Sequence, residues 1–301
     1  MALEMTWKGV FPAVTTQFNA DLSVDIKGTQ KVIDALINDG VHGLVMMGTC
    51  GENNSLEPAE KVQILEAARE VAGTRAPLFV GVSEMTTPRG VAFAKQAAKS
   101  GADALMVLPA MVYVPKPHEL VAHFREISKA TDLPIIIYNN PTSYRVNVEL
   151  DVLAELEDCK TIVGLKESSS DTRRYTDVPN RFGDRFLMMA GLDDVAFEGL
   201  TLGAKGWISG LTSAFPQESV ALVEALQRGD METALRIYRW FMPLLHLDAA
   251  HDLVQSIKLA EQVMGRGSEL VRSPRLLLEG ERRKQVISMV EAAAASRPKL
   301  G

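Results

Sequence analysis

Two side chains that could do covalent or proton-transfer chemistry follow successive apolar runs of the chain. Lys166 comes directly after the run 161–165, and Tyr138 lies near the end of the run 134–139. Burial lowers the pKa of a lysine from about 10.4 towards about 7–8, where the neutral amine attacks carbonyl carbon. Tyr138 could carry the protons for that attack. The alternative for Lys166 is a strand-end lysine whose amine reaches solvent, and the alternative for Tyr138 is a packed core tyrosine. The presence of both residues at neighbouring strand ends favours a chemical role.

A compact polar turn, residues 48–52, follows the second apolar run and reads Gly-Thr-Cys-Gly-Glu. Thr49 can hydrogen-bond either Tyr138 or a substrate carboxylate, and the amides of Thr49 and Cys50 are possible anion donors. Gly51 lets a ligand approach the backbone. Turn capping is the alternative role for Thr49. Because the sequence places no histidine beside Cys50, we expect that thiol to line the site rather than react.

No metal or organic cofactor is expected. The five histidines show no metal-ligand spacing, and the two cysteines form neither a zinc motif nor a disulfide framework. Asp193 and Asp194 begin a predicted helix and are interpreted as caps. The segment 265–270 lacks the last glycine of a dinucleotide-binding turn.

Eight apolar runs alternate with amphipathic segments and must position these residues. The runs are continuously apolar, as parallel strands covered on both faces should be. They span residues 10–18, 43–48, 77–82, 102–109, 134–139, 161–166, 185–191 and 206–210. Helical patterns span 25–39, 58–72, 87–100, 118–131, 171–182, 193–202 and 215–228. A helix-stopping glycine precedes a strand at Gly40, Gly101 and Gly203.

Eight strand–helix units predict an α/β fold, the (β/α)8 TIM barrel, with an open doubly wound sheet as the alternative. We expect the barrel at residues 1–228 and a C-terminal helical region at 229–301 packed on it, with helices at 231–264 and 281–296. Contact with another subunit, or plain extra core, is the alternative role for that region. Since barrel chemistry lies at the carboxyl ends of strands, Gly191 and Ser209 are further candidates for substrate binding.

Composition excludes several classes of protein. The 301 residues include 32 Lys+Arg and 38 Asp+Glu, a formal net charge of −6, which argues against a nucleic-acid partner. With 47% hydrophobic and 23% charged residues, the chain has the composition of a globular protein. We expect no membrane association and a cytoplasmic location, because no apolar run approaches about 20 residues and the start lacks signal-peptide features.

Three segments resemble the signatures of the dihydrodipicolinate synthase/N-acetylneuraminate lyase family. They are residues 48–52, 138–141 (Tyr-Asn-Asn-Pro) and 164–169 (Gly-Leu-Lys-Glu-Ser-Ser), and the opening segment 9–18 is similar too. The motifs occur in the family's order and spacing, and the resemblance covers almost the whole chain.

The resemblance implies class I lyase chemistry. Lys166 would form a Schiff base with a 2-oxo acid, Tyr138 would carry protons, and Thr49 with the amide of Cys50 would bind the carboxylate. The resemblance also implies a homotetramer, built as a dimer of dimers, and no cofactor.

Departures from the family pattern concern the choice of substrate. Ser143 stands where true dihydrodipicolinate synthases have a carboxylate-binding arginine, and Arg145 stands at the next glycine position. Met111 occupies the place of a tyrosine that reaches the neighbouring subunit's site, and Tyr113 could substitute for it. We therefore expect Ser143, Arg145 and Tyr113 to contact substrate.

The predicted function is a Schiff-base-forming lyase acting on a small 2-oxo acid or its cyclic imine. A dehydratase or deaminase, such as 4-hydroxy-1-pyrroline-2-carboxylate deaminase, is favoured over a true dihydrodipicolinate synthase. The alternatives are a 2-keto-3-deoxy sugar acid aldolase, dihydrodipicolinate synthase itself, and a regulatory barrel that binds a 2-oxo acid without turnover. A phosphate-binding isomerase with Glu167 as its base ranks last. N-acetylneuraminate lyase is unsupported because its Gly-Ser-Thr-Gly-Glu loop is absent.

Overall fold

The computed structural model describes residues 7–110 and 112–300 and contains eight parallel strands in one sheet. The strands are β1 (Gly9–Pro12), β2 (Leu44–Met46), β3 (Leu78–Val82), β4 (Ala104–Val107), β5 (Ile135–Asn139), β6 (Ile162–Glu167), β7 (Leu187–Ala190) and β8 (Gly206–Ser209). They pair in the order β1-β8-β7-β6-β5-β4-β3-β2. A bridge between Ala13 and Val45 brings the two end strands together, which confirms the predicted TIM barrel.

Helices connect the strands and then continue past β8. They are α1 (Ile26–Asn38), α2 (Pro58–Ala72), α3 (Thr87–Lys99), α4 (Pro117–Ser128), α5 (Pro141–Tyr144), α6 (Leu150–Ala154), α7 (Arg174–Phe182), α8 (Ala196–Thr201), α9 (Pro216–Gln227), α10 (Met231–Leu245), α11 (Leu253–Val263) and α12 (Gly280–Ala295). Two of them, α5 and α6, were not predicted. The helical pattern at 231–264 is two helices, joined by a turn at 246–252.

The first strand is shorter than the sequence pattern suggested. The prediction for 10–18 was wrong beyond Pro12, because the polar residues that follow bond to loop and side-chain atoms instead of a strand ladder. Thr16 Oγ1 donates to the Gly51 carbonyl at 2.7 Å, and the amide of Gln17 donates to Thr29 Oγ1 at 3.1 Å. Residues 13–18 therefore form part of the loop that follows β1.

Both faces of the strands are buried, which explains their unbroken apolar runs. One face packs against the surrounding helices. The other fills the barrel with the side chains of Phe11, Val45, Phe79, Ala104, Met106, Ile136, Tyr138, Met189 and Ile208. Trp7 closes the amino-terminal end, with its ring centroid 4.3 Å from that of Phe79. The packed interior confines any ligand to the carboxyl-terminal mouth of the barrel.

The repeated glycines end helices as predicted. Gly40, Gly101 and Gly203 have φ angles of 90°, 96° and 109°, a region that side chains with a Cβ rarely adopt. Each lets the chain leave a helix and enter the next strand within a few residues.

A buried ion pair joins the C-terminal helices to the loops after β1 and β2. Lys258 Nζ, on α11, donates to the Thr16 carbonyl at 2.8 Å and to Glu52 Oε1 at 3.0 Å, and both charged side chains are fully buried. The other oxygen of Glu52 accepts the amide of Arg272 at 3.0 Å. The helices thus hold the loop that carries Thr49, while the proposed domain boundary at residue 228 stays a prediction. No helix in the described ranges is long and apolar enough to cross a membrane.

We predict that Lys258→Met lowers the free energy of unfolding by about 3–5 kcal/mol, because buried Glu52 would lose its close cationic partner and keep only Arg275, whose Nη1 lies 3.9 Å from Glu52 Oε2. Urea denaturation measures the change. The matched control is Lys284→Met, which removes an exposed i,i+3 pair with Glu281 and should cost less than about 0.5 kcal/mol. Equal losses in the two variants would contradict the assignment.

Candidate active site

Lys166 projects into the barrel mouth from the end of β6. Side chains alternate along a strand, so Lys166 and Ser168 share the inner side while Glu167 points outwards. Lys166 pairs with Tyr138 across β5 and β6, and its Nζ lies 4.2 Å from the centroid of the Tyr138 ring. Only 5% of the Lys166 surface is exposed. The structure therefore places the two predicted chemical groups side by side.

Opposing effects act on the lysine. Burial lowers the pKa of Lys166 below that of an ordinary lysine, while the negative charge of Asp248 acts to raise it. Burial is the larger effect, in the direction expected from sequence. The neutral, nucleophilic amine is therefore present at lower pH than it would be on the surface.

Tyr138 retains its proton. Burial raises the pKa of its phenol, and Asn140 Nδ2 donates a 3.0 Å hydrogen bond to the phenol oxygen. The ring of Tyr144 packs edge-on against it, with centroids 6.0 Å apart and an interplanar angle of 88°. If Lys166 attacks a carbonyl carbon, Tyr138 can thus donate a proton to the oxygen that leaves that carbon.

Thr49 hydrogen-bonds a group that the sequence did not suggest. Its hydroxyl bonds the hydroxyl of Tyr144, and in the described part of the chain it forms no bond with Tyr138. Next in the loop, Cys50 is buried, and burial raises the pKa of its thiol, which keeps it protonated and unreactive. At Gly51 a Cβ would lie 2.8 Å from Met47 Cα, so the loop's path requires glycine there.

Gly191 leaves room beside the lysine. A Cβ at this position would lie 2.6 Å from Lys166 Cγ and would also collide with Ser168 Oγ. The Ser168 hydroxyl is buried and, among the residues that the structure describes, has no partner at full hydrogen-bond geometry. A ligand bound here could supply that partner, since buried hydroxyls are rarely left unpaired.

Asp193 links β8 to the loop after β7 instead of capping a helix, so the capping interpretation was wrong. It is fully buried and accepts from Trp207 Nε1 at 2.9 Å and from Ser209 Oγ at 3.0 Å. The amide of Leu211 also donates to it at 3.0 Å. The Ser209 hydroxyl therefore already donates its proton to Asp193. A contact between Ser209 and substrate stays a prediction.

A second carboxyl group, Asp248, reaches the mouth from the turn between α10 and α11. Its Oδ2 accepts the amide of Asp193 at 3.4 Å. A Cβ on Gly210 would lie 2.5 Å from its Oδ1 and 3.1 Å from Cys50 Sγ. Burial raises the pKa of Asp248 to about 6, and the charge of Lys166 acts against this rise. Sequence reasoning missed Asp248 because no local pattern connects it with a strand end 82 residues away.

Three predicted substrate contacts lie at the surface of the chain. Ser143, Arg145 and Tyr113 are exposed, and the Tyr113 hydroxyl donates to Glu119 Oε1 at 2.9 Å. Their roles stay predictions. Met111, where the family pattern has a tyrosine, lies outside the described residues.

Glu167 is unsuited to the isomerase role considered above. It is fully buried on the outer side of β6, where Arg174 Nε donates to it at 2.5 Å and Asn139 Nδ2 at 3.0 Å. Those bonds hold the Glu167 side chain away from the mouth. Across the described ranges, no three His, Cys, Asp or Glu side chains are grouped so that they could hold a metal ion.

Comparison with known proteins identifies relatives along most of the chain. The model of the dihydrodipicolinate synthetase family matches residues 6–293. A relative from Methanosarcina mazei, named 4-hydroxy-tetrahydrodipicolinate synthase, is 30% identical over 89% of this chain and 92% of its own. A protein of the same name from Methanospirillum hungatei is 32% identical over 89% and 93%.

Solved structures of similar proteins share the fold. Dihydrodipicolinate synthase from Aquifex aeolicus superposes with a TM-score of 0.91 at 26% identity, covering 96% of this chain and 98% of its own. The chloride-inhibited enzyme from Acinetobacter baumannii, in complex with pyruvate, gives 0.91 at 25% identity, with coverages of 95% and 99%.

The Asp248 carboxylate should keep the Lys166 amine protonated to higher pH. We predict that Asp248→Asn moves the midpoint of Lys166 acetylation by acetic anhydride to lower pH, since removal of a negative charge destabilises the ammonium form. The two proteins should differ above pH about 6, where Asp248 is ionised. Competitive labelling with mass spectrometry gives the midpoints. Asp151→Asn, at a side chain 86% exposed, is the control; a midpoint unchanged in Asp248→Asn would contradict the electrostatic contact.

Proposed function

The chain belongs to the dihydrodipicolinate synthetase family, whose members are Schiff-base-forming class I lyases, and we propose that Lys166 forms this Schiff base with a small 2-oxo acid such as pyruvate. The observation that carries the proposal is the buried Lys166 amine lying over the ring of Tyr138, which keeps its proton. Thr49, the Cys50 amide and Gly51, in the loop after β2, are proposed to bind the carboxylate.

The proposed first step uses groups that lie together in the mouth. The neutral Lys166 amine attacks the 2-oxo carbon, forming a C–N bond while the carbonyl electron pair moves to oxygen. A proton passes from nitrogen to that oxygen, which gives a carbinolamine. The C–O bond then breaks, the hydroxyl leaves as water with a proton from Tyr138, and the nitrogen lone pair completes the iminium. The step consumes one proton, releases one water, and creates an electron sink for chemistry at the next carbon.

We predict that borohydride, added with pyruvate, fixes pyruvate as a secondary amine on Lys166, and that peptide mass spectrometry locates the adduct there. Lys166→Ala should lose the adduct and turnover, while Lys160→Ala, an exposed lysine just before β6, should retain both. Tyr138→Phe should slow turnover by about 10²–10⁴-fold, because general acid–base catalysis supplies that factor. Failure of wild-type protein to form any Lys166 adduct would refute the proposal.

For the complete reaction, the names of the relatives favour 4-hydroxy-tetrahydrodipicolinate synthase, one of the alternatives left open by the sequence, over the deaminase that the sequence favoured. The product name describes a seven-carbon nitrogen heterocycle. In this candidate reaction, the imine of pyruvate would therefore condense with a four-carbon amino-acid aldehyde, aspartate semialdehyde.

Elimination of water or ammonia from a 2-oxo acid or cyclic imine is the second candidate, and two observations favour it. Ser143 supplies a hydroxyl where a synthase has its arginine, and Arg145 is exposed. Asp248, with a pKa of about 6, adds a carboxyl group near Lys166 that could protonate a leaving hydroxyl or amine near neutral pH.

Two substrate assays separate these candidates. A synthase should consume pyruvate only when aspartate semialdehyde is present, whereas an eliminating enzyme should release ammonia from 4-hydroxy-1-pyrroline-2-carboxylate. If elimination is the reaction, we predict that Asp248→Asn slows ammonia release by at least about tenfold while the pyruvate adduct still forms. Condensation without ammonia release would exclude the second candidate, and the reverse result would exclude the first. Turnover of either substrate would exclude the regulatory barrel.

A cytoplasmic homotetramer, built as a dimer of dimers, remains part of the proposal. The support is family membership, together with the exposed Val112, Tyr113 and Val114 segment, which an interface could cover. Light scattering on the purified protein gives the mass directly.

A further inference from the structure

Three hydroxyl-bearing side chains, those of Tyr138, Thr49 and Tyr144, meet at the barrel mouth. Tyr144 lies at the end of the short helix α5, directly after β5, and is half-buried. Its ring packs edge-on against Tyr138, and its hydroxyl bonds that of Thr49. One side chain therefore contacts two groups that the proposed function uses.

The local sequence fixes where Tyr144 points. Asn140 caps α5 by accepting the amide of Ser143 at 2.9 Å, while its side-chain nitrogen donates to Tyr138. The helix ends at once because Arg145 takes a left-handed conformation, with φ at 59°. Asn140 thus sets the position of α5 relative to Tyr138, and the abrupt stop keeps Tyr144 at the mouth.

The chemistry of the two hydroxyls decides the direction of their hydrogen bond. A phenol is far more acidic than an alcohol, so Tyr144 is the natural donor and Thr49 the acceptor. Burial raises the pKa of Tyr144, which keeps the donated proton in place. When one lone pair of Thr49 accepts the proton of Tyr144, Thr49 retains its own proton to donate into the mouth.

We propose that Tyr144 is a positioning residue that holds the Thr49 hydroxyl as a hydrogen-bond donor to the substrate carboxylate. The inference rests on the proposed function and names a group that acts from within the same chain. Tyr113 is not the residue that hydrogen-bonds Thr49 within this chain. It is 59% exposed, and its hydroxyl donates to Glu119.

The test follows the borohydride adduct of pyruvate on Lys166 at subsaturating pyruvate. We expect Tyr144→Phe to slow adduct formation by about 10–100-fold, since a misplaced orienting group costs up to about 10². Thr49→Val should slow it by a similar factor. The double variant should be no more than about twofold slower than Thr49→Val alone, because both substitutions remove the same orienting bond.

Tyr238→Phe is the matched control. It also removes a tyrosine hydroxyl, one that bonds the Asp194 carbonyl and Glu198, and it should leave the adduct rate unchanged. If Tyr144→Phe instead caused a general loss of packing, the double variant would be slowed by the product of the two single-variant factors. That result would overturn the inference. So would a wild-type rate in Tyr144→Phe, or a loss found only in Tyr113→Phe. Absence of the adduct in the wild-type protein refutes the proposed function itself, which distinguishes the two failures.

Discussion

The geometry of the mouth depends on the ion pair between Lys258 and Glu52, which is buried where the C-terminal helices meet the barrel. Burying two charges is expensive, and the pair is tolerable only because its remaining hydrogen-bonding capacity is used. Thr16 and Arg272 supply those bonds from opposite sides. Glu52 closes the loop that carries Thr49 and Cys50, so the helices beyond the barrel help to determine where these two residues lie.

Electrostatics in the mouth are a balance between desolvation and nearby acids. Burial makes Lys166 reactive by disfavouring its charge, and Asp248 limits that effect by favouring it. Burial raises the pKa of Asp193 above that of an ordinary carboxyl group, while its hydrogen bonds with Leu211 and Ser209 act to lower it and hold β8. In the proposed function, hydroxyls and backbone amides bind the anionic substrate locally, in a chain whose net charge is −6.

The sequence predicted the parts of the molecule that local patterns determine. Buried runs and terminal glycines identified all eight strands, and the strand ends brought Lys166 and Tyr138 together. The prediction was wrong where side chains override the backbone pattern, as at residues 13–18, where the polar residues bond to loop atoms. It missed Tyr144 and Asp248, because their positions come from a four-residue helix and from a turn that folds back over the mouth. Contacts spanning 95 residues, such as that between Thr49 and Tyr144, leave no periodic signal.

Asp248 lies in the turn between α10 and α11, outside the strands. Substitutions at this position therefore differ in their consequences from substitutions in the barrel interior. Substitutions in the barrel interior disturb a packed core, whereas the turn 246–252 contributes no residue to a strand. The carboxyl group near Lys166 can therefore be exchanged at position 248 with every strand residue unchanged. For protein engineering, the same turn is the place to randomise when a new leaving group is wanted on an unchanged scaffold.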